Sequence, residues 1–253
     1  MSERARRGLE NFLSRRARPP RELRAELALP SGPLPLLVRP HATARRMTLR
    51  LSPDGSEARV TVPLGVPLRE GANFARSRTD WLAAQKAAAP VRKSLGHGDT
   101  LPFRGRSLRI EWAAKARRAP MLADDTLTLG GPEDSMPRRI QRWLEREALE
   151  LCRADLAEYC ERARVPCPDL RLSRATRRWG SCSTSGTVRI NWRLVMAPDE
   201  VRRSVIAHEV AHLVHFDHSP AFHALLARLF GAGLPAADRW LKREGRSLYG
   251  YFG

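Results

Sequence analysis

The stretch from His208 to Pro220 reads HEVAHLVHFDHSP, and five of the seven histidines in the chain lie between residues 208 and 223. Its first five residues match the pattern HExxH. On a helix, residues four apart lie one above the other, so His208 and His212 share a face and can bind one zinc ion. Glu209 is one step round the helix, from where it can reach a water molecule on the metal's open side. The pattern therefore predicts a hydrolytic zinc site.

The neighbours of the HExxH residues indicate a helix packed in a core. They are mostly apolar: Val205, Ile206, Val210, Ala211, Leu213 and Val214. Zinc lowers the pKa of a bound water towards about 7, and a carboxylate can take its proton during attack on a carbonyl carbon. We therefore predict that Glu209 is the general base of an amide-hydrolysing site, with one zinc ion per chain.

A third zinc ligand is expected, because catalytic zinc takes three protein ligands and leaves the fourth position for water or substrate. His218 lies ten residues after His208, the interval found in the longer HExxHxxGxxH pattern. His215 occupies the glycine position of that pattern and is an alternative ligand, as is Glu244. Ser219 and Pro220 are typical of a helix start, which would fix His218 beside it. We predict His218 as the third ligand.

Across the whole chain, the pattern of apolar and polar residues predicts an α+β protein with three regions. Residues 1–33 are basic and proline-interrupted and are expected to be a mobile arm. Residues 34–135 form a small β-rich amino-terminal region, and residues 136–253 form a zincin-like domain. Alternation predicts strands at 36–39, 47–51, 58–62, 101–103, 108–112 and 126–129, with a helix over 70–88.

The zincin-like region begins with the longest helical pattern of the chain. Apolar residues recur at three- and four-residue steps over 137–163, with Pro137 at the first turn. Strands are predicted at 170–172, 175–179 and 187–191, and the HExxH helix is predicted to begin at Pro198. A helix packed on a small sheet is the arrangement that these elements indicate.

The composition favours a soluble cytoplasmic protein. The amino-terminal segment lacks the apolar core of a signal peptide, no apolar run is long enough to span a membrane, and the four cysteines, which form no CxxC pair, are expected to be reduced thiols. The net charge of +18, from 45 basic and 27 acidic residues, favours encounters with nucleic acid or acidic partners. A solvated, arginine-rich surface is the simpler interpretation.

The sequence also resembles a known family. The residues that carry the resemblance are Arg178-Trp179-Gly180-Ser181-Cys182-Ser183, Ile190-Asn191, Pro198, His208-Glu209-Val210-Ala211-His212, His218-Ser219-Pro220 and Phe222. They are similar to those of the YgjP-like metallopeptidase-domain family, which is related to the SprT-like zincins. The resemblance covers about residues 137–245 closely. It implies that His208, His212 and His218 bind zinc, that Glu209 is catalytic, and that the substrate is a peptide or protein.

Two other functions stay open at this stage. The first is a nucleic-acid-associated protease, by analogy with SprT-like proteins and from the basic charge, which a steep salt dependence of binding would support. The second is a non-catalytic domain with a closed structural zinc site, for which His215 or Cys182 would be a fourth ligand. The simpler interpretation of Trp179 and Cys182 is that both side chains pack in the core. Tyr249, Tyr251 and Arg177 are candidates for stabilising the oxyanion.

Overall fold

The computed structural model describes residues 22–52, 54–88, 93–184 and 186–252. It divides into two units, residues 1–88 and residues 89–253, each with its own internal contacts. Within the described residues, no helix has the length and apolar character needed to cross a membrane. The four cysteines are free thiols. Helices and strands are mixed in both units, which confirms the predicted α+β class.

In its described residues, the first unit is a four-stranded sheet with two helices. The strands are β1 (Leu23–Leu29), β2 (Gly32–His41), β3 (Thr48–Leu51) and β4 (Ala58–Pro63), in the order β1-β2-β4-β3, and the helices are α1 (Leu68–Arg76) and α2 (Thr79–Ala87). Strand β2 pairs antiparallel to β1 and parallel to β4. A Cβ at Gly71 of α1 would lie 2.6 Å from a methyl carbon of Val38, so α1 packs close to the sheet only because glycine stands there.

Strand β1 corrects the predicted arm. Residues 1–21 lie outside the described residues, but Leu23–Leu29 pairs along its whole length with β2. Leu27 and Leu29 of β1 are buried in the core of the first unit, and the proline-rich segment between β1 and β2 is a tight hairpin turn. The predicted helix over 70–88 is interrupted at Ser77 and Arg78, so it forms two helices.

The second unit contains two further sheets. The first is formed by β5 (Thr100–Phe103), β6 (Arg106–Trp112), β7 (Met121–Ala123) and β8 (Thr126–Leu129), in the order β5-β6-β8-β7. The second is formed by β9 (Leu170–Ser173), β10 (Gly180–Cys182) and β11 (Val188–Asn191), in the order β10-β11-β9. Strand β11 is antiparallel to β10 and parallel to β9.

The helices of this unit are α3 (Met136–Ala163), α4 (Asp199–Val214), α5 (Pro220–Phe230) and α6 (Leu234–Glu244), followed by a 3₁₀ helix over Gly245–Gly250. Leu108 and Leu127 of the β5–β8 sheet share one core with Ile140 and Leu144 of α3. The boundary between the units therefore lies after Ala88 rather than near residue 135, because the later strands bury their side chains against α3.

The segment predicted as a strand over 175–179 is not one. Its first residue is held by side chains: the Ala175 carbonyl accepts hydrogen bonds from the Asn191 side-chain amide at 2.7 Å and from the Tyr249 hydroxyl at 3.2 Å. Only its last residue bonds to a strand, since the Trp179 carbonyl accepts from the Asn191 N–H of β11 at 2.7 Å. Strand β10 begins only at Gly180. Residues 175–179 therefore pass beside Tyr249 of the carboxyl-terminal 3₁₀ helix before the chain enters the sheet at β10.

Helix α4 is anchored to α3 by a buried ionic network. Arg202 donates to the Asp155 carboxylate at 2.8 Å, and both side chains are almost fully buried. Arg203 donates to the other Asp155 oxygen at 2.8 Å and to Glu158 at 2.7 Å. Asp155 therefore holds two arginines from successive positions of α4, which sets the height and rotation of that helix against α3.

Candidate metal centre

Helix α4 and the start of α5 carry the predicted site residues. Asp199 and Glu200 lie in the first turn of α4, where acidic groups interact favourably with the helix dipole. The helix ends at Val214, and α5 restarts with Ser219 as its N-cap, whose hydroxyl accepts from the Phe222 backbone N–H at 3.4 Å. His218 directly precedes this cap, so the restart of the chain holds it beside the end of α4.

The three predicted imidazoles converge. The Nε2 atom of His208 lies 3.2 Å from Nε2 of His212 and 3.4 Å from Nε2 of His218. Three nitrogens bound tetrahedrally at the usual Zn–N distance are separated by about 3.3 Å. One ligand atom from each residue lies within 4.8 Å of the others. The donor set and its spacing therefore fit a zinc ion with an open fourth position.

The alternative ligands are not part of this cluster. Among the described residues, the group that can hold a metal consists of His208, His212 and His218, without His215, Cys182 or Glu244. His215 contributes in another way, because its backbone carbonyl oxygen lies 3.0 Å from Nδ1 of His212. A proton on that Nδ1 donates to the carbonyl and leaves the Nε2 lone pair of His212 directed at the cluster.

An aromatic ring packs against all three imidazoles. Phe222 is fully buried, and its ring centroid lies 5.0 Å from that of His208, 4.6 Å from that of His212 and 4.8 Å from that of His218. A rigid ring in contact with three imidazoles limits the rotamers available to each. The three histidines therefore pack against one side chain of the following helix, α5.

The electrostatics favour unprotonated imidazole at the centre of the cluster. Burial, together with the neighbouring His212, His218 and His223, lowers the pKa of His208 to about 4. His208 is therefore neutral at neutral pH. Neutral imidazole is the form that binds metal.

Glu209 lies against the edge strand β10. Its side chain is 5% exposed, and a Cβ at Gly180 would lie 2.8 Å from its Cδ atom, so no other residue type fits at position 180 without displacing the carboxylate. Burial raises the pKa of Glu209 to about 7, while the charge of Arg178 and a backbone hydrogen bond from Cys182 act in the opposite direction. Glycine in the Trp179-Gly180-Ser181 segment was the sequence signal for this close approach.

The aromatic residues near the carboxyl terminus have packing partners. Tyr249 is buried, its hydroxyl is engaged by Asn191 and Ala175, and its ring centroid lies 5.4 Å from that of Trp179. The Tyr251 hydroxyl accepts from the Lys93 ammonium at 2.8 Å. Both hydroxyls considered for the oxyanion are thus engaged elsewhere. The contacts of the Asn191 side chain with Ala175 and Tyr249 were not identified from the sequence.

The crystal structure of the metallopeptidase zymogen of Pyrococcus abyssi abylysin is similar to this chain with a TM-score of 0.33 and 17% sequence identity, over 39% of this chain and 96% of that one. No curated protein matches the chain. The family model described as "YgjP-like, metallopeptidase domain" matches residues 45–244. That match extends over most of the chain and includes every residue of the histidine cluster.

Proposed function

Because this chain belongs to the YgjP-like metallopeptidase-domain family, we propose that it is a peptidase that uses one zinc ion, bound by His208, His212 and His218. Glu209 is the general base. The observation that carries the proposal is the convergence of three Nε2 atoms at separations of 3.2 and 3.4 Å, which suit tetrahedral zinc. Three histidines with an open position are typical of catalytic rather than structural zinc sites.

The reaction would be hydrolysis of a peptide bond. Zinc, when bound, supplies a Lewis acid that polarises a carbonyl oxygen and acidifies water. Glu209 takes one proton from the attacking water, whose oxygen bonds to the carbonyl carbon. As the C–N bond breaks, Glu209 delivers that proton to the leaving nitrogen, so its charge is restored. Gly180 allows this carboxylate to lie between the histidine helix and β10.

The edge of β10 that faces away from β11 supports a peptide substrate, because no other strand pairs with it among the described residues. Trp179 accepts a hydrogen bond from the Asn191 N–H, and Ser181 pairs with Arg189 of β11. Because the direction of backbone groups alternates along a strand, Gly180 directs its own N–H and carbonyl away from β11. An extended peptide can add to such an edge through its backbone, which suits proteins of varied sequence.

The test separates metal binding from turnover. Glu209→Gln keeps the three imidazoles, so we expect full zinc content, near one ion per chain, with peptide cleavage reduced by at least about a hundredfold. His208→Ala removes a ligand, so both zinc and cleavage should be lost. Zinc is measured by elemental analysis after reconstitution, and cleavage by mass spectrometry of a denatured-protein digest incubated with each variant. Full activity of Glu209→Gln, or a wild type that retains no transition metal, would overturn the proposal.

A further inference from the structure

A cavity of about 370 Å³ opens beside the reacting residues. His208 and Glu209 lie at one end of it, next to Gly180 of β10. Its inner wall is formed by Val205 of α4 and Leu226 of α5, which are 8% and 4% exposed. The cavity therefore begins at the point where a scissile bond would lie and has an apolar floor.

The outer wall of the cavity comes from helix α6. Leu234, Asp238 and Leu241 line it at steps of four and three residues, which places them on one face of the helix. The two leucines are half-buried and Asp238 is exposed. Both leucines pack against the hydrophobic core of this unit and also line the cavity.

We propose that this cavity receives the side chain of a residue flanking the cleaved peptide bond and selects large apolar side chains such as leucine, methionine or phenylalanine. The inference rests on the proposed peptidase function and adds its substrate preference. The cavity volume lies in the range of small-ligand sites. The face of α6 formed by Leu234, Asp238 and Leu241 is the specificity-determining wall.

Relative magnitudes favour an apolar occupant over a basic one. The additional apolar surface that leucine buries compared with alanine is worth about tenfold or more in binding. An ion pair with a carboxylate as exposed as Asp238 is worth about fivefold at most. The hydroxyl of Ser204 already donates to the Val201 carbonyl at 2.9 Å, so it offers no free donor to a polar guest. Asp238 also repels acidic side chains from the cavity mouth.

The first experiment measures occupation of the cavity without catalysis. The zinc-loaded Glu209→Gln variant is titrated with N-acetyl-leucinamide, N-acetyl-alaninamide, N-acetyl-argininamide and N-acetyl-glutamate amide, and the amide signals of α6 are followed by NMR. We expect the leucine probe to shift the signals of Leu234, Asp238 and Leu241 with an affinity at least about fivefold above that of alanine, and the glutamate probe to bind most weakly. Equal affinities, or shifts elsewhere on the protein, would overturn the proposal.

The second experiment uses variants of the wall. Leu241→Trp in the same background fills the cavity and should abolish the shifts caused by the leucine probe. Leu151→Trp is the matched control, because Leu151 is a half-buried leucine of α3 that does not line the cavity, and it should leave those shifts unchanged. Leu234→Ala enlarges the cavity and should raise the affinity for a fifth probe, N-acetyl-phenylalaninamide, relative to the leucine probe. Thermal melting identifies any variant that fails to fold, in which case Leu234→Ala decides.

The third experiment separates this inference from the proposed function. Wild-type enzyme loaded with zinc cleaves a peptide pool, and the residues on both sides of each cut are read by mass spectrometry. We expect one flanking position to be enriched in large apolar residues, and Leu241→Trp to shift it towards alanine and glycine. Cleavage without such enrichment contradicts the cavity assignment alone. Selective binding of the leucine probe without any cleavage contradicts the peptidase assignment and leaves the cavity assignment standing.

Discussion

At the scale of single residues, the metal centre depends on side chains and backbone groups that surround the ligands. The His215 carbonyl receives a hydrogen bond from His212, Phe222 packs against all three imidazoles, and Gly180 leaves space for the Glu209 carboxylate. None of these groups would touch the metal. Each instead limits the orientation of a group that does, and each gives a distinct expectation for mutation.

His218 and His215 should differ sharply on substitution. His218→Ala removes an imidazole from the cluster, so zinc affinity should fall steeply. His215→Ala removes only a side chain, and the backbone carbonyl that holds His212 remains, so its effect should be less than about tenfold. Competition with a zinc chelator measures both affinities. A larger loss for His215→Ala would mean that His215, and not His218, is the third ligand.

Phe222→Leu should lower zinc affinity by about tenfold or more, because leucine is apolar but cannot hold three imidazoles as a flat ring does. The control is Leu229→Ala, at a residue of the same helix that is 1% exposed and is not in ring contact with the histidines. The control should lose about 2–5 kcal/mol of unfolding free energy in the metal-free protein with unchanged zinc affinity. If both variants lose affinity in proportion to stability, Phe222 merely fills space.

At the scale of elements, the position of α4 is set by its contact with α3. Asp155 joins the two helices by accepting hydrogen bonds from Arg202 and Arg203 within the core of the second unit. A buried charge that loses its partner is costly, whereas an exposed ion pair contributes little. The helix that carries His208 and His212 therefore depends on a carboxylate located 53 residues before His208 in the sequence.

Asp155→Asn should destabilise the protein by about 1.5–3 kcal/mol, because Arg202 and Arg203 each lose a charge-assisted hydrogen bond while Arg202 keeps its ion pair with Asp199. Glu158→Gln is the matched control on the same helix. Its carboxylate bonds Arg203 but is 44% exposed, so the expected loss is about 1 kcal/mol or less. Urea denaturation of the metal-free variants, followed by circular dichroism, gives both free energies. Equal losses of unfolding free energy in the two variants would show that the contribution of the Arg202–Asp155 ion pair to stability does not depend on its burial.

At the scale of the whole molecule, all residues of the proposed site lie in one of the two units. The histidine cluster, Glu209, the edge strand and the cavity all lie in the unit formed by residues 89–253, whereas the first unit has its own sheet and core. A ligand stabilises the part of a protein whose folded form it requires. Zinc should therefore act unevenly along the chain.

Hydrogen exchange with and without zinc tests this expectation. At zinc concentrations about a hundredfold above the dissociation constant, the stabilisation is about 2.7 kcal/mol. Amides of α4 and α5 should exchange about a hundredfold more slowly, which is the factor that this free energy corresponds to. The exchange of amides of β1–β4 should not change. Mass spectrometry of peptic fragments resolves the two sets. Equal protection of both units would show that they unfold as one cooperative body.

The sequence by itself determined what depends on neighbours along the chain. The HExxH spacing, with Ser219 and Pro220 restarting the next helix, was enough to predict that His208, His212 and His218 would meet, and alternation was enough to predict most strands and the α+β class. These features follow from backbone periodicity and helix capping, which depend on residues close together in the sequence.

Only the tertiary structure decided which distant segments meet. Strand β1 was not predicted, because it lies in a basic segment and becomes a strand by pairing with β2, which local alternation does not reveal. The unit boundary after Ala88, the packing of Gly180 on Glu209, and the cavity wall on α6 depend on contacts between residues far apart in sequence. Such contacts are selected by the packing of the whole core, in which each side chain must fit many neighbours at once, so local periodicity does not reveal them.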